Sequence, residues 1–321
     1  MLAYLNKAPR LFHQIALGAI VYIARLPLIR DVISTVEIYF LGRTIDHTMT
    51  SGPTGRAMGY LFRNHDPELT AKEIYRDTFS PERLKQGYQS QIGQDLFLNR
   101  WFFNNRGPGF FIDVGAYDGV VGSNTFYFEK HLQWRGIAFE PNPATFETLK
   151  ANRSCRLIQG CAYDEDGQIS FLGLSKDGQG KAKSRPPGSL LSMIFDSSHG
   201  GTMLGGIPEH MNQVRWVEWI GKAMKLERTV ETVPCHRIDT VLKECGVKTV
   251  DYLSIDVEGA ELEVLRGIDF DRVQVNVISI EHNHEFSKVY DLLTTSGFEY
   301  AGLLFFDEIF VHKRPRYSWD V

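Results

Sequence analysis

From Tyr88 onward, short apolar runs alternate with longer segments whose apolar residues recur every three to four positions, and turn residues punctuate them. Short runs bounded by Gly, Pro, Asn or Asp read as buried strands, and the longer periodic segments as amphipathic helices. The pattern predicts strands at 110–114, 136–139 and 156–159, with helices at about 123–131 and 144–152. Gly160-Cys-Ala162 closes the third strand, and 168–172 is expected as its hairpin partner. Residues 173–232 then break the alternation, first with Gly, Ser and Pro, then with Val214-Arg-Trp-Val-Glu-Trp-Ile220 and an extended pattern at 227–233. That stretch is longer than a crossover requires, and it is expected to be an insertion over the carboxyl edge of a sheet, where specificity resides. Its Trp216 and Trp219 are candidates either for stacking on a sugar or aromatic ring or for core positions. The alternation resumes with a helix at 238–245, a strand ending in Asp256, a helix through Arg266 and a strand at 275–280. A helix at 287–296 and an antiparallel pair at 300–304 and 308–312 complete it. Strands alternating with helices predict an α/β domain on a parallel sheet.

The first 87 residues follow another pattern. Leu11 to Ala24 is a charge-free run of 14 residues, with Lys7 and Arg10 before it and Arg25 and Arg30 after it. A membrane-spanning helix needs about 20 apolar residues. No small-x-small cleavage site marks the run as a signal peptide, and secretion would part an enzyme from a cytosolic cofactor. Two readings remain: residues 11–29 lie on a membrane surface as an interfacial helix, or they pack as a helix on the domain or on a second subunit. Thr48 to Arg56 reads as a loop and Pro67 to Gly87 as one or two short helices. The expected division is a helical extension, 1–87, followed by a domain, 88–321.

Composition narrows the class. With 321 residues, 43% hydrophobic, 23% charged and a net charge of −4, the chain fits one large α/β domain plus an extension and has no basic footprint for nucleic acid. The locally basic stretch from Lys176 to Arg185 reads as a loop able to meet an acidic substrate. Cys155, Cys161, Cys235 and Cys245 form neither a C-x-x-C pair nor a zinc spacing. A reducing compartment, the cytoplasm, is expected, with membrane association through 11–29 as the added possibility.

Three motifs carry chemistry. Phe110-Phe-Ile-Asp-Val-Gly-Ala-Tyr-Asp-Gly119 is an apolar strand ending in an acidic, glycine-spaced turn before a helical pattern. Gly136-Ile-Ala-Phe139 runs into Glu140-Pro-Asn-Pro143, and a carboxylate at the tip of a second strand can accept from both hydroxyls of a ribose. A dinucleotide fingerprint would need glycine where Tyr117 stands, so that a pyrophosphate could approach bare backbone. S-adenosylmethionine, which brings no phosphate, fits better than NAD. Asp251-Tyr-Leu-Ser-Ile-Asp-Val-Glu-Gly-Ala-Glu261 then sets Asp256 and Glu258 at the carboxyl end of a strand, where open α/β sheets bind ligands. A helix dipole accounts for Glu261 but not for Asp256, which follows directly on the apolar run.

The Asp113–Gly119 turn, the Ser254–Glu261 block and Ser90-Gln-Ile-Gly-Gln-Asp-Leu96 together resemble the FkbM family of S-adenosylmethionine-dependent methyltransferases, over about 88–313. The resemblance implies a Rossmann-like class I methyltransferase fold: a seven-stranded, mostly parallel sheet with an antiparallel last strand. It also implies O-methylation of a hydroxyl on a sugar, glycan or secondary metabolite. Tyr117 stands where the family often has Asn. On this reading Asp113, Gly115, Ala116 and Gly119 surround the methionine part of the cofactor, Glu140 holds the ribose, and Asn142 and Ala162 lie near the adenine. Gln91 and Gln94 close over the amino-acid end or form a polar helix face.

Methyl transfer needs a held nucleophile and a proton acceptor. Candidates for the acceptor are Asp256, Glu258 and His282, the last in Glu281-His-Asn-His284 at a strand end. In a sharper version, Asp256, Glu281 and Asn283 hold a Mg²⁺ that lowers the substrate's pKa. Rival readings are a degenerate cofactor-binding fold acting as a membrane-associated interaction module, an NAD-dependent sugar enzyme, and a protein or nucleic-acid methyltransferase. The last lacks an Asn-Pro-Pro-aromatic tetrad after Asp256 and the charge for nucleic acid.

Overall fold

The computed structural model describes residues 82–91, 93–175, 205–211, 227–282, 285–304 and 307–315. The apolar segment 11–29, the 176–185 loop, Trp216, Trp219 and Asn283 lie outside the described residues.

The chain enters through helices α1 (Glu82–Lys85) and α2 (Gln94–Leu98), the latter continuing as a π-helical turn, Asn99–Phe103. Strand β1 (Phe110–Val114), helix α3 (Phe126–Leu132), β2 (Arg135–Phe139), α4 (Pro143–Asn152) and β3 (Arg156–Ile158) follow. Later come α6 (Ile238–Cys245), β8 (Thr249–Ile255), α7 (Glu261–Arg266), β9 (Gln274–Glu281), α8 (Phe286–Thr295), β10 (Phe298–Leu304) and β11 (Asp307–His312). These strands form one seven-stranded sheet, β10-β11-β9-β8-β1-β2-β3. All pairs from β3 to β9 are parallel, and β11 is antiparallel to both β9 and β10. This is the mostly parallel sheet with an antiparallel last strand that the resemblance implied.

Both faces of the sheet are covered, which explains why its strands read as continuous apolar runs. On one face Ile112, Val114, Leu253, Ile255 and Ile278 pack with Val241, Leu242, Leu262, Leu265, Val289 and Leu293 of the later helices. On the other, rings interlock around Phe103, which lies 5.3 Å from Phe128 and 4.8 Å from Trp134. Helix α4 begins on Asn142, whose Oδ1 accepts from the Ala144 N–H at 2.9 Å, with Pro143 at the first helical position.

A second sheet departs from the expected pairing. Between β3 and α6 lie β4 (Cys161–Ala162), β5 (Gly167–Ser175), β6 (Gly205–Gly206), α5 (Pro208–Met211) and β7 (Glu227–His236). They form a four-stranded sheet, β4-β7-β5-β6. The partner of 168–172 is therefore not the third strand but β7, in an antiparallel ladder from Gly167↔Cys235 to Ser175↔Glu227. The segment is a strand as expected, but pairing across the long intervening stretch carries no local signal.

Candidate functional site

The register of the large sheet brings its strand ends to one level. Val114 pairs with Phe139 and with Ile255, Ile255 with Ile280, and Glu281 with Asp307. One residue past the Val114 level, β2, β1, β8, β9 and β11 therefore present Glu140, Gly115, Asp256, Glu281 and Asp307 in a row. Strand order reverses between β1 and β8, the place where open α/β sheets bind ligands. There the chains nearly touch: a Cβ on Gly115, whose φ is +85°, would lie 2.0 Å from the Asp256 carbonyl oxygen. Glycine is what lets the two turns leave the sheet side by side.

Glu140 anchors one end of the row. Its Oε1 accepts from the Asn142 N–H at 2.8 Å and the Thr145 hydroxyl at 2.9 Å, and its Oε2 accepts from the Tyr117 N–H at 2.9 Å. A carboxylate has about four acceptor positions, so one remains on Oε2. Burial pushes this carboxyl up to about 7, against its hydrogen-bond donors. Tyr117, at φ 50°, is held left-handed with its N–H aimed at Glu140. The Asn142 side chain is spent on the helix cap, with its Nδ2 unengaged by that bond.

Several expected cofactor residues face inward instead. Asp113 accepts from Thr125 at 2.5 Å and Ser123 at 3.5 Å and lies 3.5 Å from the buried Arg153 guanidinium. Burial raises its carboxyl, with Arg153 opposing. A Cβ on Gly119 would lie 2.5 Å from both Leu149 and Arg153, so this glycine lets the turn pack on α4. Ala116 sits with Ala138, Phe146 and Leu149, and Ala162 lies in the main apolar core. Gln91 offers its backbone oxygen to Arg83 at 3.0 Å. Gln94 donates to Asp307 at 3.1 Å and so ties α2 to the row.

At the other end carboxyls crowd together. Burial first, and the Asp113 carboxylate second, push Asp256 up to about 6. Glu258, at φ 60°, rises well above its ordinary value through burial and then through Asp256 and Glu261. Glu281 rises likewise, through burial and then Asp256, Glu258, Glu261 and Asp307. Asp307 reaches about 7 by burial and Asp256, against the Gln94 hydrogen bond. Glu261 is turned to its own loop, accepting from the Gly259 N–H at 3.0 Å. Every acid of the row is thus raised above its ordinary value.

His282 follows Glu281, and its Nδ1 meets the Oε1 of Glu308, whose Oε2 accepts from the Tyr300 hydroxyl. Glu308 and Asp307 escaped sequence reasoning because they stand in a strand whose partners are set by tertiary pairing. The available signal was two adjacent acids opening an otherwise apolar closing strand. Among the described residues no group of three or more His, Cys, Asp or Glu is arranged to hold a metal ion. Asn283, the third residue of the expected Mg²⁺ set, lies outside the described residues.

Beside the β1–β8 pair, a buried acceptor is unmatched. The Asn124 amide donates to Ser254 Oγ at 3.0 Å, leaving its Oδ1 buried without a hydrogen bond. Ser254 pairs with Asp113, one level below the strand ends. An unmade hydrogen bond of this kind costs about 1–3 kcal/mol.

Residues 113–300 match the family model of the methyltransferase FkbM domain. Over 221 residues the chain is 30% identical to "Methyltransferase 1" of Beauveria bassiana (strain ARSEF 2860), covering 65% of this chain and 81% of that protein. It is 26% identical over 163 residues to "2-O-methyltransferase NoeI" of Sinorhizobium fredii (strain NBRC 101917 / NGR234), covering 49% of this chain and 56% of the relative. It is 23% identical over 207 residues to "31-O-demethyl-FK506 methyltransferase FkbM" of Streptomyces tacrolimicus, with 62% and 69% covered. No helix among the described residues is long and apolar enough to cross a membrane.

Proposed function

The chain belongs to the FkbM methyltransferase family, and from that premise we propose that it is an S-adenosylmethionine-dependent O-methyltransferase acting on a hydroxyl of a small molecule or glycan. The observation that carries the reading is Glu140: a buried carboxylate with one acceptor position left, level with Gly115 at the switch point of the sheet. A ribose hydroxyl supplies the missing donor. Asn124 Oδ1 suits the cofactor's ammonium, a group rich in donors that would relieve this buried oxygen. When bound, the cofactor supplies an electrophilic methyl group on a sulfonium.

The protein's own share is to hold the acceptor and take its proton. Burial first, and then Asp256, push Glu258 and Glu281 well above the ordinary carboxyl range, which disfavours their ionised forms. Asp256, raised to about 6, is ionised over most of that range and is placed to accept a hydrogen bond from the substrate hydroxyl. His282, with its side chain 44% exposed at the same edge, is the proton acceptor. Two named relatives, a 2-O-methyltransferase and a 31-O-demethyl-FK506 methyltransferase, support oxygen as the target atom. Cytoplasmic residence and a membrane contact through 11–29 belong to the same proposal, and no step depends on Mg²⁺.

The test is calorimetric titration with S-adenosylmethionine and with NAD, followed by transfer of a labelled methyl group to a panel of methyl glycosides and secondary alcohols. Saturable binding of the first alone, with label in an ether product, is the expected result. Binding without transfer to any acceptor would favour the interaction-module reading. Absence of binding would remove the proposal.

A further inference from the structure

Among the described residues the imidazole of His282 is hydrogen-bonded through one nitrogen, Nδ1. Strand β11 runs antiparallel to β9 with Glu308 opposite Ile280 and Asp307 opposite Glu281, so the residue after β9 reaches back onto Glu308. The Glu308 side chain is 2% exposed. Both its oxygens are engaged, Oε1 by His282 Nδ1 and Oε2 by the Tyr300 hydroxyl. Phe286 packs beside the imidazole, with ring centroids 5.2 Å apart, and Tyr300 packs on Phe286 in turn at 5.9 Å. Among the described residues His282 Nε2 makes no hydrogen bond, and the side chain is 44% exposed.

A carboxylate only accepts, so the Nδ1 that meets it must be the donor. The form of a neutral imidazole is set by the bond its other nitrogen makes. Resting on the O-methylation reading, we infer that Glu308 is the positioning residue that makes His282 the proton acceptor, holding the proton on Nδ1 and Nε2 bare toward the acceptor hydroxyl. Tyr300 fixes the opposite oxygen of Glu308 and thereby the plane of the pair.

In the step served by this pair, a lone pair of the hydroxyl oxygen forms the bond to the methyl carbon. The carbon–sulfur electron pair returns to sulfur, which leaves as a neutral thioether. The hydroxyl proton passes to Nε2, and the imidazolium, stabilised by Glu308, later releases it to water.

The chemistry of Glu308→Gln makes the inference sharp. Tyr300 needs an acceptor, so the amide oxygen stays with Tyr300 and the amide NH₂ faces His282 Nδ1. Nδ1 must then accept, and the ring proton moves to Nε2. Two-bond ¹H–¹⁵N spectra of the full chain should show His282 protonated at Nδ1 in the wild type and at Nε2 in Glu308→Gln. Affinity for S-adenosylmethionine should stay within about twofold, because Glu308 is not placed in the cofactor site; that margin is less than 0.5 kcal/mol. With any member of the glycoside and alcohol panel that is methylated, kcat should fall about 100-fold with KM little changed. Adding Glu308→Gln to His282→Ala should cause no further loss, since the carboxylate acts only through the ring.

A wild-type His282 protonated at Nε2 would overturn the inference, as would losses that multiply in the double variant. Should Glu308→Gln fail to fold, the wild-type spectrum still decides, and Tyr300→Phe, which keeps the carboxylate, should retain the Nδ1–H form. Failure of S-adenosylmethionine to bind the wild type would instead defeat the underlying O-methylation reading, and it leaves the tautomer result to be judged by itself.

Discussion

At the scale of single residues, the acid that ends β2 sets a pH dependence. Glu140 is 6% exposed and its carboxyl is raised to about 7. A ribose hydroxyl donating to Oε2 favours the ionised form, so binding expels the proton that Glu140 carries below that value. Affinity for S-adenosylmethionine should therefore rise about tenfold between pH 6 and pH 8 and level off above, one pK unit being worth about 1.4 kcal/mol. Titrations across that range test it, and Glu140→Gln should both weaken binding and flatten the profile. A wild-type affinity that is flat or falls with pH would remove Glu140 from the ribose. The strand-end positions of Glu140 and Asp256 were legible in the sequence because an acid directly after an apolar run has no local explanation. Asp113 obeys the same rule but lies within β1, one residue before its end, and Arg153, Thr125 and Ser123 claim it; those partners come from distant turns and a helix terminus. Glu308 shows the opposite case, since its contact is with a ring that follows another strand, β9.

At the scale of elements, the close passage of the turns after β1 and β8 makes one glycine far more demanding than another. Gly115 and Gly246 both have positive φ, +85° and +66°, but a Cβ on Gly246 meets nothing within 4 Å, whereas on Gly115 it would lie 2.0 Å from Asp256 O. Gly246→Ala should cost only the left-handed backbone penalty, about 1–2 kcal/mol. Gly115→Ala adds a clash with backbone that cannot step aside, and should cost at least about twice as much, close to the upper end for single substitutions. Denaturant unfolding of the two variants measures the difference, and equal losses would mean that the β1 and β8 turns separate freely. The helices and parallel strands of the large sheet were legible because each is a short local pattern bounded by turn residues. The β5–β7 ladder was not, because its strands are linked through residues 176–226 and only the assembled sheet pairs them.

At the scale of the whole molecule, the carboxyl row couples stability to pH. Glu140 and Asp307, exposed by only 6% and 8%, are both raised to about 7 from ordinary values of 4.5 and 3.8. Between the ordinary and raised values the folded protein holds more protons than the unfolded chain, so stability is full at the acidic end of that window. It declines as pH rises toward 7. Glu258 and Glu281, raised in the same direction, add to the decline. Glu129 works the other way. Burial, which alone would raise it, is overcome by Arg153 and the Ser154 hydrogen bonds, and its carboxyl lies at about 2. Its contribution is present above pH 4.5 and is lost as pH falls from there toward 2. The two trends place the stability maximum near pH 5. Melting at pH 5.5 should exceed that at pH 8 by roughly 5–10 °C, the shift expected for about 3 kcal/mol in a domain of this size. Asp307→Asn should remove part of that difference. A melting temperature constant or rising over this interval would contradict the raised carboxyls of the row. Saturating S-adenosylmethionine should narrow the gap by raising the pH 8 value most, because the ligand that needs Glu140 ionised stabilises the folded state where that ionisation is already complete.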